Sequence, residues 1–439
     1  MSRKLAGLMV AGVLIVGCSE SPPVPRNNTV RSDTTASPAP SGSFALEDFV
    51  VGDPIRYDNL SIFPVSSRVA KTEDRYITLD EGLKAGTVEI RELAATYEGQ
   101  NDPGADAVNA DTSTNVNNDN GDTPADEQAT RDRRDGNAVL SAGNDVNTLI
   151  VVNNSDKPLY LMPGEIIIGG SQDRTIANEL VLAPHSSPTR ISVFCVESGR
   201  WGAKGAEETL AQIENANSSV ASGGTVSAAL RVDYGASQLA QDADRGKFVA
   251  TVGHLSKASR VAVQSDKDQS AVWESVAIAN NQSGLSPDSG AFTANYVNVD
   301  NIKKLEPYLE HLQARVSKID QVVGVLVAIN GKIETIDVFD STPLFHKVWP
   351  KLLKSYALDA TNAQEAKNTT IADMKRAAAE SFLAEALGAN VASSESGQGV
   401  ALTRREGQHV LSFSSHIEPA AASAGMGGMG GVHFSGYAK

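Results

Sequence analysis

Charged and polar side chains flank two short apolar runs in the middle of the chain. The first group surrounds the run 166–168 and the second follows the run 190–196. Glycines at strand ends let a backbone approach a ligand closely. If the two strands are neighbours, three carboxylates, two guanidiniums and an indole share one rim. The residues of this polar cluster are Gly164, Glu165, Gly169, Gly170, Gln172, Asp173, Arg174, Cys195, Glu197, Gly199, Arg200 and Trp201.

Three carboxylates of the cluster are candidate catalytic groups: Glu165, Asp173 and Glu197. A carboxyl group held in a cleft can act as a general acid or base. Glu165 directly follows a glycine, so it could equally accept hydrogen bonds from backbone N–H groups in a tight turn.

Four other side chains of the cluster are candidate binding groups: Gln172, Arg174, Arg200 and Trp201. A guanidinium can hold a phosphate or carboxylate through two parallel hydrogen bonds, and an indole can stack on a base or sugar. The alternative is structural. The arginines would then pair with neighbouring carboxylates in an ion network, and the indole would pack at a sheet edge.

The sequence predicts neither a metal site nor a cofactor. The seven histidines show no HxxxH or HxH spacing, and no P-loop, dinucleotide fingerprint or nucleophile elbow is present. Cys195 alternates with Ile191 and Val193, which predicts a buried small hydrophobe rather than a nucleophile. Asp337 shares a strand face with Ile333 and Thr335, so it could point toward a polar pocket, and a position at a sheet edge is favoured over that one.

The local patterns that must position these residues predict an α+β fold, with a mostly antiparallel β-sheet core and C-terminal helices packed on it. A capping box at Thr78 and Glu81 begins a helix. Asn330 and Gly331 form a type I′ turn between two strands. The predicted strands are 57–65, 87–93, 148–152, 159–162, 166–168, 190–196, 322–329 and 332–339, and the predicted helices are 207–215, 302–316, 343–357 and 371–387.

The N-terminus has the pattern of a lipoprotein signal. Arg3 and Lys4 precede an apolar run too short to span a bilayer, and the run ends at Gly17 and Cys18. We therefore expect residues 1–18 to be a signal peptide with a lipobox and Cys18 to be acylated, with palmitate as a lipid, and to become the mature N-terminus. Ser19 after the cysteine favours outer-membrane sorting, so the body would face the periplasm or the cell surface.

Composition divides the remainder into a tether and one globular domain. Residues 19–43 are rich in Pro, Ser and Thr, which predicts a flexible tether, and residues 44–439 form the domain. Residues 98–137 are rich in Asp, Asn and Gly and predict a disordered acidic insertion. The net charge of −15 and the absence of a basic stripe exclude nucleic acid as an expected partner.

The sequence resembles a domain family named for its association with ADP-ribosylglycohydrolases and rhodanese-phosphatases. The resemblance covers about residues 45–439, with departures at the acidic insertion, at 205–268 and at Gly82. It implies a link, through gene context, to the processing of NAD-derived nucleotides or ADP-ribose adducts, and no established reaction. His433 lies in a segment that resembles the end of the family's domain, which makes it a site candidate. The positions that carry the resemblance are Tyr57, Asn59, Leu60, Phe63, Pro64, 79–81, Gly164, Glu165, 172–174, 195–201, Trp273, Asp337, Phe339 and 355–360.

Three functions are consistent with these patterns. The first is a membrane-anchored lipoprotein domain that binds an anionic ligand of nucleotide or ADP-ribose type through Arg174, Arg200 and Trp201. The second is a hydrolase that uses the candidate carboxylates on such a ligand. The third is a structural envelope protein without a small ligand. Under the first two functions, the ligand of an exported protein must exist outside the cytoplasm.

Overall fold

The computed structural model describes residues 44–93, 146–200, 211, 247–363, 374–397, 399–423 and 430–439. The expectations on the signal peptide with Cys18, the tether 19–43, the insertion 98–137 and Trp201 lie outside these residues, as does the helix predicted at 207–215 apart from residue 211. Within the described part of the chain, no helix is both long and apolar enough to cross a membrane.

The described residues form eighteen strands and eight α-helices, with one 3₁₀ turn at Leu46–Asp48 and one π-helix at Ala262–Asp266. The strands are β1 Phe49–Val51, β2 Ile55–Tyr57, β3 Leu60–Ser67, β4 Ile77–Thr78, β5 Val88–Glu92, β6 Thr148–Asn153, β7 Leu159–Leu161, β8 Glu165–Gly169, β9 Arg174–Ile176, β10 Leu180–Leu182, β11 Thr189–Cys195, β12 Lys247–His254, β13 Val322–Ile329, β14 Lys332–Phe339, β15 Asn390–Gly397, β16 Val400–Glu406, β17 Val410–Ile417 and β18 Gly431–Ala438. The helices are α1 Leu79–Ala85, α2 Lys257–Val261, α3 Gln269–Gln282, α4 Ala294–Val297, α5 Val299–Ser317, α6 Thr342–Asn362, α7 Arg376–Gly388 and α8 Pro419–Ser423.

The strands form three sheets. A nine-stranded antiparallel sheet has the order β1-β3-β13-β14-β18-β17-β16-β15, with β2 also paired to β3. Six strands close an antiparallel barrel in the order β11-β6-β5-β12-β8-β9, and β10-β7-β4 form a small sheet in which β4 and β7 are parallel. The expected α+β fold with a mostly antiparallel core is confirmed.

The large sheet is covered on both faces, and strand β13 shows why. Val325 and Val327 belong to the apolar cluster formed with α5 and α6, whereas Leu326 and Ala328 belong to the cluster formed with α7. Successive side chains of a strand point to opposite faces, so an unbroken apolar run fits a strand that is buried on both sides.

Several local predictions are confirmed. Asn330 and Gly331 have φ of 51° and 73° and join β13 to β14. Glu81 accepts a hydrogen bond from the Thr78 N–H at 3.0 Å, as a capping box requires. Gly82 in α1 has a steric reason to be glycine, because a Cβ there would lie 2.2 Å from Cγ2 of Val88.

Candidate functional site

The structure brings most of the predicted polar cluster together at one part of the barrel. Strand β9 pairs with β8 on one side and β11 on the other, with Arg174 opposite Cys195. This pairing joins the segment after β8 to the segment after β11. We call the resulting group of Gln172, Asp173, Arg174, Glu197 and Arg200 the barrel network.

The Arg200 guanidinium is fully engaged inside the barrel network. Its Nε donates to Glu197 Oε2 at 2.7 Å, its Nη2 to Asp173 Oδ1 at 2.9 Å and its Nη1 to the Gly170 carbonyl at 3.0 Å. The second Asp173 oxygen accepts from Thr293 Oγ1 at 2.9 Å. Burial and the neighbouring Glu197 raise the pKa of Asp173, although Arg200 opposes them.

Arg174 and Gln172 extend the same network inward. Gln172 Nε2 donates to the Glu197 carbonyl at 2.8 Å, and Arg174 Nη1 donates to Gln172 Oε1 at 3.1 Å. Arg174 is 2 % exposed, and its Nη2 lies 3.7 Å from Glu92 Oε1. These contacts favour the structural alternative for both arginines, because Arg200 pairs with two buried carboxylates and Arg174 donates to Gln172 and lies near Glu92.

Glu165 belongs to a different charge network from the other two candidate carboxylates. Its Oε1 accepts from Lys351 Nζ at 2.5 Å, and the same ammonium donates to Asp80. Burial raises the pKa of Glu165, and Lys351 partly offsets this. Cys195 is buried as predicted, and burial raises the pKa of its thiol.

A second buried network lies between the barrel, the large sheet and α6, and we call it the central network. Its members are Tyr160, Glu179, Arg260, Asp337, Tyr356 and His433. Asp337 is 0 % exposed on β14, whose neighbours are β13 and β18. The edge position favoured by the sequence pattern is therefore wrong, because long-range pairing with the C-terminal strand encloses this residue.

Asp337 is the anchor of the central network. Its carboxylate accepts from Arg260 Nη1 at 2.9 Å and Nη2 at 2.5 Å, and from the Tyr356 hydroxyl. Its Oδ1 also lies 3.0 Å from His433 Nε2. Burial would raise the pKa of Asp337, but Arg260 and His433 overcome this and hold it well below its usual range.

His433 connects Asp337 to a carboxylate nearer the surface. Its Nδ1 lies 3.2 Å from Glu179 Oε2, and its ring stacks on Phe339 at 4.4 Å between centroids. Burial alone would lower its pKa, but the two carboxylates raise it to about 9, so the imidazole is cationic at neutral pH. Glu179 Oε1 accepts from the Tyr160 hydroxyl at 2.8 Å.

Glu179 lines a cleft of about 190 Å³. The walls come from four regions: the turns near β8–β10, the π-helix, the β15–β16 hairpin and β17. π-Helical turns are rare and often occur at functional sites. The lining residues are Pro163, Ala177, Asn178, Glu179, Gln264, Ser265, Lys267, Ser393, Glu395, Leu402, Arg404, Phe413 and Ser414.

Two lining side chains carry buried polar atoms that have no hydrogen-bond partner among the described residues. They are Oε1 of Gln264, a residue 7 % exposed, and Nε of Arg404. An unpaired buried polar atom costs about 1–3 kcal/mol, so a ligand that supplies the missing bonds gains that amount. Both residues line the cleft together with Glu179.

Sequence reasoning missed Glu179, Gln264 and Arg404 as site residues. The only local signal at Glu179 is a charge directly before the apolar run 180–182. Gln264 and Arg404 carry no local signal, because they meet only through tertiary packing. No group of three or more potential metal ligands exists among the described residues.

The fold is thus an α+β domain that combines the barrel and the large sheet with enclosed charge networks. The family model of the ARG and Rhodanese-Phosphatase-superfamily-associated Protein domain matches residues 48–421. The chain therefore belongs to that family, as the resemblance predicted. The match includes Glu179, Arg260 and Asp337 and ends before His433. No curated protein and no solved structure matches the chain.

Proposed function

We propose that the protein binds a small anionic, hydroxyl-bearing molecule of ADP-ribose type in the cleft beside Glu179. The observation that carries the proposal is a cleft lined by Glu179, Gln264 and Arg404, in which the last two residues each carry a buried polar atom without a hydrogen-bond partner among the described residues. The proposal moves the predicted ligand site from Arg174 and Arg200 to this cleft, because those two arginines are engaged inside the barrel network.

The polar groups of the cleft suit vicinal hydroxyls. Gln264 Oε1 lacks a donor, and Arg404 Nε lacks an acceptor such as a phosphate or hydroxyl oxygen. A hydroxyl group supplies both functions, and a ribose phosphate carries several such groups on one small frame. Leu402 and Phe413 add apolar surface for the face of a ring.

The size of the cleft limits what it encloses. Its volume of about 190 Å³ lies below the range of about 300–1,000 Å³ common for drug-sized ligands. One ring of a nucleotide fits this space, and the remainder of the ligand would extend outward past the β15–β16 hairpin.

A thermal-shift experiment on the purified full-length protein tests this proposal. The probes are ADP-ribose, ribose 5-phosphate and adenosine. At a hundredfold excess over Kd, a bound ligand stabilises the fold by about 2.7 kcal/mol, which raises Tm by several degrees, on the order of 5 °C.

Matched variants locate the binding. Gln264→Leu and Glu179→Gln should abolish the shift, and Glu274→Gln, on the exposed face of α3, should retain it. The absence of a shift with all three probes would favour a structural envelope protein. A shift that survives Glu179→Gln and Gln264→Leu would place the ligand elsewhere.

We also propose that Cys18 is lipidated and anchors the domain to the outer membrane, facing the periplasm or the surface. The support is the sequence from Arg3 to Cys18. Labelling of cells with a palmitate analogue should mark the wild-type protein and not Cys18→Ala. Membrane fractionation should then find the variant released from the outer membrane, and a variant that stays labelled would overturn the proposal.

A further inference from the structure

We propose that Arg404 binds the phosphate group of the ligand and makes the cleft selective for phosphorylated sugars over neutral ones. The inference rests on the proposed function, because the sugar must first bind in this cleft. It adds a specificity-determining residue, and it places the phosphate at the wall that β16 forms.

Arg404 lies on the face of the large sheet that borders the cleft. In the strand register it stands opposite Ser393 of β15 on one side and Phe413 of β17 on the other. Directly opposed residues of neighbouring strands carry their side chains on the same face. All three residues line the cleft, so Arg404 is the middle member of a cross-strand row along its wall.

The Arg404 side chain is accessible to a ligand. It is 34 % exposed, whereas the two arginines of the barrel network, Arg174 and Arg200, are 2 % and 9 % exposed. An arginine at such a position can meet a ligand without first leaving a buried ion network. The accessible guanidinium is therefore the one at the cleft, and not the two that the sequence pattern indicated.

Arg404 makes no hydrogen bond to a carboxylate within the described part of the chain. Its Nη2 lies 3.7 Å from Glu406 Oε2, which is too long for a hydrogen bond. Glu406 in turn accepts from Lys439 Nζ at 2.9 Å. The Nε of Arg404 also lacks a partner among these residues. Because a guanidinium keeps its positive charge in proteins, Arg404 brings a weakly paired cation to the cleft.

The other cation of the described lining is already closely paired. Lys267 Nζ donates to both oxygens of Glu395, at 2.9 and 2.8 Å, and this pair joins the end of the π-helix to β15. An anion that took Lys267 would have to break two short contacts. Arg404 can receive an anion at the cost of one contact of 3.7 Å, so it is the favoured anion site.

The shape of the guanidinium favours a phosphate. Its Nε–H and the neighbouring Nη–H are parallel donors, and two phosphate oxygens can accept from both of them. The cleft of about 190 Å³ has room for one ring. A phosphate on C5 of a pentose lies next to the ring, so one small ligand can fill the cleft and reach Arg404.

Two sugars test the inference on the wild-type full-length protein. Ribose 5-phosphate carries the phosphate, and ribose has the same ring without it. Their Kd values are measured by ligand-observed NMR titration, which extends to millimolar affinities. We expect ribose 5-phosphate to bind at least about tenfold more tightly than ribose, because its phosphate makes a charge-assisted contact.

Substitutions of Arg404 should act on one sugar only. Arg404→Gln should bind ribose 5-phosphate at least about tenfold more weakly than the wild type and ribose within about twofold. Arg404→Lys keeps the charge and loses the fork, so it should bind ribose 5-phosphate more tightly than Arg404→Gln. Arg376→Gln, on α7 and outside the cleft lining, should match the wild type. Circular dichroism checks that each variant is folded.

Gln264 supplies a matched variant within the cleft. It lies on the π-helix, in a different wall from Arg404, and it carries an amide and no charge. Gln264→Leu should therefore weaken the binding of both sugars by a similar factor and leave their affinity ratio within about twofold of the wild-type value. Loss of the ratio in Gln264→Leu would place the phosphate at the π-helix and overturn the assignment to Arg404.

The other outcomes separate this inference from the proposed function. Equal binding of the two sugars by the wild type overturns the selectivity and leaves the binding function standing. No binding of either sugar or of ADP-ribose overturns both. Unchanged binding of ribose 5-phosphate in Arg404→Gln, a matching loss of ribose binding, or equal binding by Arg404→Gln and Arg404→Lys overturns the role of Arg404 as the phosphate contact.

Discussion

The two buried charge networks of this protein are similar in chemistry and opposite in organisation. The barrel network takes its five members from residues 172–200 and binds its guanidinium groups to internal partners. The central network draws on residues from 160 to 433, and its residue Glu179 lines a cleft. A dense local run of charged residues here serves the fold, whereas the network that borders the cleft is assembled from distant segments.

Buried charges are tolerated for different reasons in the barrel network and in the central network. A buried ion pair costs solvation energy that must be offset by close partners. In the barrel network Arg200 pairs with Glu197, three residues away in sequence, and with Asp173, whereas Arg174 lies beside Glu92. In the central network Asp337 gathers Arg260, Tyr356 and His433 from three elements, so its integrity depends on the whole fold.

The largest effect is expected from breaking the anchor of the central network. Asp337→Asn leaves Arg260 as a buried cation without its carboxylate, which should lower the free energy of unfolding by about 3–5 kcal/mol. Urea denaturation measures this value. Asp53→Asn removes the carboxylate of an exposed pair with Arg376 and should change it little. Equal stabilities of these two variants would contradict the assigned role of Asp337.

The second-largest effect is a dependence of the free energy of unfolding on pH, which arises from His433 in the central network. The pKa of His433 is about 9 in the folded protein and about 6.5 when unfolded. Between these values the folded state binds the extra proton, so stability is full below pH 6.5 and falls as the pH rises through 9, by up to about 3 kcal/mol. His433→Gln should flatten this slope in urea titrations at pH 6, 7, 8 and 9. A wild-type slope equal to that of the variant would show that His433 is not held as a cation.

The smallest change in the free energy of unfolding is expected from removing one side chain of the barrel network. Gln172→Ala removes the amide that bridges the Glu197 carbonyl and Arg174, so stability should fall by about 1–3 kcal/mol. The ligand-induced shift in Tm should be unchanged, because this residue does not line the cleft. Loss of the shift would return the ligand site to the barrel network.

The parts of the fold that could be predicted from sequence are those that local chemistry decides. The turn at Asn330 and Gly331 needs positive φ, and the helix α5 shows its apolar face at three- and four-residue spacing. The barrel and the order of the large sheet could not be predicted, because β13 pairs with β3 and β14 with β18 across long stretches of chain.

The residues of the candidate site also fall into two groups, those that could be predicted from local sequence and those that could not. The polar cluster from Gln172 to Arg200 could be found because its members are close in sequence, and β9 brings them together. Glu179, Gln264 and Arg404 could not be found, because each is an isolated polar residue until packing places it on the cleft. Asp337 and His433 could each be considered from the sequence alone. Their contact could not be predicted, because it depends on the pairing of β14 with β18.

Titration calorimetry of ADP-ribose with Glu179→Gln and Glu197→Gln, side by side with the wild type, tests the central claim most directly. Both variants neutralise one buried carboxylate, one in each network. The account predicts that Glu179→Gln weakens binding at least about tenfold, through loss of a charged hydrogen bond, and that Glu197→Gln binds within about twofold of the wild type. Weakened binding in Glu197→Gln with unchanged binding in Glu179→Gln would contradict it.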